Sequence, residues 1–393
     1  MSKILFIVDS LGIGGVEKVL KLILNYLSEK NNYKISVLVM NGKSNNNEIF
    51  SNNISFIYPN SKIKKYFGSI KEWIKEDKKL AIKEIIINIQ KTIFNKKYKF
   101  ASFKNKIRYY LIDEYLEIND NYDYAIAFNI SHLLYILINK VNAKNKIVWF
   151  HGDATNKSIK LKEYSSLLNI VDNIVCVSNK SRKSIIKVFK NINIEKKCVV
   201  IKNLIDIDNL YNVRENNFYD KESINVLSIG RLSKEKNYLE LVKIFGKTLK
   251  ECQRKINLFI IGDGLEFNKI KKYIIKHKLE DNIKLLGKIE IPYNYIYNCD
   301  LYIQPSYYEG FCISLYEAMF LGKDTISFNI ADYAEEQKLN INKIFICQEK
   351  NDVIDILKKY KKHKNEQNNL KLKNKCIKFN NKIKKDLIEL LER

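Results

Sequence analysis

Glycine and proline are scarce in this chain, with 13 Gly and 3 Pro among 393 residues. That excludes a collagen-like repeat, a Pro-rich rod and Gly/Ser tethers between domains. The seven cysteines (Cys176, Cys198, Cys252, Cys299, Cys312, Cys347 and Cys376) are odd in number, scattered and without CxxC spacing. Neither a disulfide framework nor a zinc site is expected from them; buried thiols in a reducing compartment are. The four histidines, His132, His151, His277 and His363, form no HxH or HExxH pair. No stretch of about 18 uncharged apolar residues exists to span a bilayer. The opening MSKILFIVDSLGIGG has no strongly basic start and no A-x-A cleavage site, so a cytoplasmic protein is expected.

What is plentiful is apolar residue and positive charge. Hydrophobic residues make up 46% of the chain and charged residues 29%, enough to build more than one core. At about 100–200 residues per domain, two domains are expected. Lys+Arg 69 against Asp+Glu 44 leaves +25, which favours anionic partners such as phosphates or an anionic membrane surface. The lysines form no recognisable nucleic-acid motif, so nucleic acid is not an expected partner.

Short β-branched runs at 3–8, 35–40, 124–128, 146–150 and 173–177 read as strands buried on both faces. Between the first two, Val16, Val19, Leu20, Ile23 and Leu27 stripe a helix over Gly15–Lys30. The pattern restarts near 224. Strands are expected at 224–230, 256–262, 283–287, 300–304 and 324–328, with helices at 237–251, 265–278 and 313–321. Such βαβ alternation predicts an α/β protein with two parallel-sheet units, each of Rossmann-like size. The expected division is a first domain 1–203, a polar linker 204–223 and a second domain 224–380. A final helix near 381–392 needs somewhere to bury Ile383, Leu387, Ile388, Leu390 and Leu391.

Residues 61–108 break the regularity. They hold 15 Lys/Arg against 4 Asp/Glu, net +11, with Tyr66, Phe67, Trp73, Phe94, Phe100 and Phe103 among them and Tyr109 at the end. Two readings stay open: a solvated helical pair, or an interfacial surface for anionic lipid.

Four constellations carry chemistry. Gly12-Ile13-Gly14-Gly15-Val16-Glu17 follows a strand and opens a helix, where free N–H groups and the helix dipole make an anion site; a tight turn needing glycine is the plainer reading. His151-Gly152 follows strand 146–150, at the sheet rim where doubly wound folds bind ligands; a structural histidine is equally at home there. Gly230-Arg231-Leu232-Ser233-Lys234-Glu235-Lys236 follows the first strand of the second unit. Arg231 as a planar fork and Lys236 as a point charge would converge on a diphosphate, unless they are ordinary basic loop residues. Pro305-Ser306-Tyr307-Tyr308-Glu309-Gly310-Phe311-Cys312-Ile313-Ser314-Leu315-Tyr316-Glu317 takes a strand into a helix. Its N–H groups from Gly310 to Ile313 would be free for a ligand, or Glu309 and Glu317 are two exposed glutamates at a junction.

Together these motifs resemble the GT-B glycosyltransferases, in particular the large retaining group called glycosyltransferase family four (glycosyl transferases group 1). The resembling segments are GGVE at Gly14–Glu17, GRL-x-x-x-K at Gly230–Lys236, IGDG-x-E at Ile261–Glu266 and PS-x-x-EGF…EA with Glu309 and Glu317 eight apart. Asn203 matches the Asn that precedes the family's linker. The resemblance implies two Rossmann-like domains facing across a cleft. It also implies transfer of a sugar from a nucleotide-diphosphate donor with retention, without a metal or other cofactor. Carried over, Glu309 faces the donor sugar, Glu317 holds the ribose and His151 contacts the sugar. Arg231 and Lys236 balance the diphosphate; Gly14, Gly15, Gly230, Gly310, Phe311, Cys312 and Ile313 line the nucleotide-sugar site. The final helix, 381–393, is expected to cross back to the first domain.

The acceptor is expected on the first domain. A glycan or lipid-linked sugar in capsule, lipopolysaccharide or glycoprotein-glycan assembly would suit it, with peripheral contact at the cytoplasmic face of the inner membrane. A catalytically idle scaffold and a basic nucleic-acid-binding protein are the alternatives from other classes. Three departures from the family pattern stand out: Cys312 where glycine is usual, Gly322-Lys323-Asp324 in place of Gly-x-Pro, and a loose match at 329–335. Asp206-Ile207-Asp208 has DxD spacing but reads as a turn.

Overall fold

A computed structural model describes residues 1–12, 14–41, 53–60, 103–155, 161–215, 217–328, 341–362 and 369–392. The basic segment up to 102, and with it Tyr66, Phe67, Trp73, Phe94 and Phe100, lies outside the described residues. So does the loose family match at 329–335.

The chain divides into two compact units, 1–202 and 203–392. In the first, seven parallel strands lie in the order β3-β2-β1-β4-β5-β6-β7. They are β1 (Ser2–Val8), β2 (Tyr33–Val39), β3 (Ile54–Ile57), β4 (Asn121–Ala127), β5 (Asn142–Phe150), β6 (Asn173–Cys176) and β7 (Cys198–Val200). β1 sits mid-sheet and is apolar from Ile4 to Val8, all buried, because helices cover both faces of a parallel sheet. The chain direction of travel across the sheet reverses between β1 and β4, which pair in register from Ile4↔Tyr124 to Ile7↔Ala127.

The second unit repeats the plan. Its order is β10-β9-β8-β11-β12-β13, formed by β8 (Ile224–Ile229), β9 (Ile256–Ile261), β10 (Ile283–Gly287), β11 (Leu301–Gln304), β12 (Asp324–Phe328) and β13 (Ile344–Cys347). Here the reversal falls between β8 and β11, paired at Leu301↔Val226 and Tyr302↔Leu227. Both sheets are Rossmann-like, and each places its ligand-binding crevice beyond the carboxyl ends of the two strands at the reversal.

Every strand expected from the sequence is present. Three more, β3, β7 and β13, are edge strands of three or four residues with mixed burial, too short to show a period.

Two domain boundaries need correction. Residues 204–223 are not a free linker. Leu204, Ile205, Leu210 and Tyr219 are buried, the Tyr211 hydroxyl donates to the Phe320 carbonyl at 2.8 Å, and that of Tyr219 to Tyr295 at 3.0 Å. The last helix runs Asn369–Leu391, twelve residues earlier than the expected start at 381, and groups with the second unit rather than the first. Phe379 packs its ring against Phe311, Tyr316 and Phe320. Buried Asn380 accepts from the Ile205 N–H at 3.0 Å and donates to the Ile205 carbonyl at 2.7 Å, completing the hydrogen bonding of an extended segment that no strand pairs.

Candidate active site

The second unit gathers its polar side chains at the β8/β11 reversal. Gly230 ends β8 with its N–H on the Ile261 carbonyl at 3.0 Å. A Cβ there would stand 2.6 Å from the Tyr238 hydroxyl. The next loop packs tighter still: a Cβ on Gly262 would land inside the Gly230 carbonyl. These glycines let two βα loops touch backbone to backbone. A short 3-10 turn, Lys234–Lys236, then closes on Asn237 in the left-handed region (φ 61°) before the helix Tyr238–Glu251 starts.

The loop after β11 is stitched to this one by the Tyr307 N–H on the Glu235 carbonyl at 3.0 Å. Across that seam, Lys236 Nζ meets both oxygens of Glu309 at 2.6 and 2.7 Å. Oε1 of Glu309 also accepts from the Ser306 hydroxyl (2.7 Å) and the Gln304 amide (3.1 Å), and the same amide donates to Ser306 Oγ at 2.7 Å. The Tyr302 hydroxyl lies 3.0 Å from Gln304 Oε1 and 2.8 Å from Ser314 Oγ. Glu309 is therefore a fixed carboxylate, its orientation set by Lys236, Ser306 and Gln304, with Tyr302 holding Gln304 in turn. Sequence reasoning found Glu309 but not its holders; Ser306 stood in plain view, three residues upstream.

Lys236 thus meets Glu309, not Arg231. Arg231 is exposed and has no side-chain partner among the described residues. Close by, the helix Ile313–Phe320 begins at Cys312, whose φ of 63° is left-handed and whose side chain makes no cap. The amides from Phe311 to Ser314 donate to no described backbone carbonyl outside their own helix. Burial pushes the Cys312 thiol well up, so it is a filler and not a nucleophile. That backbone conformation is one glycine adopts without strain, so the glycine expected here from the family pattern would fit it. Glu317 is not an exposed junction residue: it is buried one turn into the helix and accepts from the Tyr293 hydroxyl at 3.2 Å.

The first unit differs. At the expected anion loop, the Glu17 carboxylate folds back over Gly14, where a Cβ would collide with it. Glu17 itself supplies negative charge to the helix Gly15–Ser28. His151 follows β5 as expected. Its ring lies 4.7 Å from that of Phe128 and 6.5 Å from that of Trp149. Both ring nitrogens are shut off from water without a well-formed hydrogen bond. Burial pushes its pKa down to about 3, against a weaker opposing pull from the Phe128 backbone, so the ring is neutral.

Sequence reasoning passed over a second cluster there. Asp9 follows β1, and His132, behind the Ser131 cap, opens the helix after β4. His132 Nε2 lies 3.1 Å from Asp9 Oδ1, and Arg108 approaches the other ring nitrogen at 3.4 Å.

Asp206 accepts from the Asn209 N–H at 3.3 Å and caps the short helix Ile207–Leu210, as the turn reading required. Among the described residues no group of three or more His, Cys, Asp or Glu could hold a metal ion, and no helix is long and apolar enough to cross a membrane.

Comparison with known proteins bears on the family and the fold. Residues 211–386 match the model of the family described as glycosyl transferases group 1. A glycosyltransferase of Methanocaldococcus jannaschii is 26% identical over 51% of this chain and 52% of its own length. The N-acetylgalactosamine-N,N'-diacetylbacillosaminyl-diphospho-undecaprenol 4-alpha-N-acetylgalactosaminyltransferase of Campylobacter jejuni is 30% identical over 32% of this chain and 33% of that protein. The chain thus spans about a third to a half of the length of these curated relatives. Among solved structures, Anabaena HepE in complex with UDP and glucose superposes with a TM-score of 0.64 at 17% identity, covering 99% of this chain and 100% of that one. Over residues 211–386 the chain is similar to the glycosyl transferases group 1 family, and its fold is that of the GT-B glycosyltransferases.

Proposed function

We propose that the chain is a retaining, metal-independent glycosyltransferase that moves a sugar from a nucleoside-diphosphate donor to a glycan or lipid-linked acceptor. One observation carries this reading. At the β8/β11 reversal a held Lys236–Glu309 pair, an unengaged Arg231 and the four amides from Phe311 to Ser314 share one pair of loops. Cleavage of the donor's glycosidic bond loads negative charge on the β-phosphate. Preorganised cations and amides stabilise that charge without reorganising at the moment of reaction. Arg231 offers a planar fork and the amides an anion cradle. Lys236, one-quarter exposed, can share its three protons between Glu309 and a phosphate oxygen.

Glu309, fixed by Ser306 and Gln304, then presents its carboxylate to the donor sugar. Glu317 and Tyr293 shape the ribose end of the site. UDP is the first base to try, because HepE was solved with it. A diphospho-undecaprenol-linked glycan, of the kind named for the Campylobacter relative, is the acceptor class we favour, as part of surface polysaccharide or glycoprotein-glycan assembly.

Donor hydrolysis in the absence of acceptor tests the reading. UDP release from a panel of UDP-sugars is expected, and it should survive EDTA. Loss with chelator and recovery with Mg²⁺ or Mn²⁺ would contradict the metal-independent mechanism. The basic stretch 61–108 is proposed to dock on anionic membrane, each Lys or Arg contributing about 1 kcal/mol at most. Sedimentation with anionic but not neutral vesicles, weakened by salt and by charge reversal of Lys62, Lys64 and Lys65, is the outcome that supports it.

A further inference from the structure

The first unit has its own polar cluster at its own reversal. Asp9 leaves β1 and His132 leaves β4, so the pair bridges the two strands between which the β-order of the first sheet turns. Ligands of doubly wound sheets sit at that place. His132 is buried at 2% exposure. Arg108 can only donate, so it fixes Nδ1 of His132 as the acceptor and leaves the proton on Nε2, which faces Asp9. The side chain of Asp9 is 49% exposed. Its Oδ1 is engaged, while Oδ2 has no partner among the described residues.

Here one oxygen is anchored through a buried imidazole and the other is presented at the crevice. Burial alone would raise the Asp9 pKa; the contact with His132 and the charge of Arg108 outweigh it and hold the carboxyl below the usual range, so the acid is ionised. An ionised acid accepts hydrogen bonds only. The Glu17 carboxylate over Gly14 adds negative charge to the loop that follows Asp9. Two carboxylates within nine residues repel phosphate and suit hydroxyl donors.

We infer that Asp9 binds hydroxyl groups of the acceptor sugar, with His132 and Arg108 as the positioning residues that aim it. The inference rests on the glycosyltransferase reading above, but names a site in the other unit and a neutral polyol as its ligand.

Saturation-transfer NMR on the whole chain with UDP present tests it. The probes are the methyl α-glycosides of glucose, galactose, N-acetylglucosamine and N-acetylgalactosamine. The wild-type chain should bind at least one of them. Asp9→Asn, near-isosteric, should weaken that probe about tenfold or more, the worth of a charge-assisted hydrogen bond. His132→Ala should do the same, and His132→Gln, which keeps a donor amide, should recover part of the loss. UDP affinity, measured separately by calorimetry, should stay within about twofold in all three variants, since one pair of loops in the second unit holds it. Three results overturn the inference: no glycoside bound by the wild type, a probe bound equally by Asp9→Asn, or a parallel loss of UDP affinity in a folded Asp9→Asn. Failure of the wild type to bind UDP at all would instead sink the reading of the second unit, while the glycoside arm would still decide on Asp9.

Discussion

The two units have one sheet plan and opposite charge logic. At its reversal the second unit shows an exposed arginine, a lysine and a helix start whose amides donate to no described backbone carbonyl outside the helix. The first shows Asp9 aimed by a buried histidine, and a helix start already covered by its own Glu17. The glycine loops look alike in sequence: GIGG opens one helix, EGFCI the other. Whether such a loop can hold an anion depends on what folds over it. In the first unit the Glu17 carboxylate lies against Gly14 and adds negative charge to the helix start, whereas the second helix starts at an uncapped, left-handed Cys312. A shared fold therefore does not assign the phosphate; side chains at the two reversals do.

The largest effect that would test this contrast lies in the backbone contact between βα loops. Gly262→Ala should destabilise the second unit by more than about 3 kcal/mol, since backbone and not a flexible side chain blocks the new Cβ. Gly152→Ala, with only ordinary contact to the Phe150 ring, should cost under about 1 kcal/mol. Denaturant melts of the two variants that gave equal losses would mean the loops of the second unit are not locked.

Next in size are the cations. Arg231→Ala and Lys236→Ala should each raise the barrier by about 2–4 kcal/mol, roughly 10²- to 10³-fold in turnover, with the chain still folded. Near-normal turnover in both would place the diphosphate elsewhere. The Lys236 variant has a second consequence. Glu309 loses its strongest partner but keeps Ser306 and Gln304, so its position should survive in a crystal structure of the variant.

The first unit should carry a pH dependence of its own. His151 has a folded pKa of about 3, below the roughly 6.5 of an unfolded histidine. Between those values the unfolded chain binds the extra proton, so stability rises with pH there and is flat above. The slope from this group is at most about 1.4 kcal/mol per pH unit. His151→Phe should flatten the acid limb of the stability profile; an unchanged limb would show that the ring is not protected as described.

How much of this was legible beforehand depended on length and on partners. Long central strands such as β1 and β8 announced themselves through unbroken apolar runs, whereas β7, three residues long, borrows its identity from β6. The final helix was foreseen only at its end, because its earlier half is anchored by Phe379 and Asn380, whose partners lie far away in sequence. The motifs located Glu309, Arg231 and Lys236 correctly on their loops. They could not show that Lys236 binds Glu309 or that Glu17 covers Gly14, since both depend on side-chain direction. His132 was read in the sequence only for the metal motifs it lacks; nothing local ties it to Asp9, 123 residues away.

The smallest expected effects separate the two helix starts. Glu17→Gln should cost about 0.3–1 kcal/mol of stability, the worth of one charge at a helix N-terminus, and leave donor affinity unchanged. Cys312→Gly should stay within about 1 kcal/mol of wild type, relief of the left-handed backbone offsetting the lost burial of the thiol. Tm shifts beyond a few degrees in either variant, or a donor-affinity loss in Glu17→Gln, would break the proposed division of labour.

The most direct measurement is calorimetric titration of the metal-free chain with UDP, GDP and ADP, repeated in Arg231→Ala and Lys236→Ala. The account predicts that one nucleotide binds without metal and that each variant weakens it at least about tenfold, the loss of one charge-assisted contact of about 1.4 kcal/mol. Binding of none of the three, or equal binding by both variants, would contradict it.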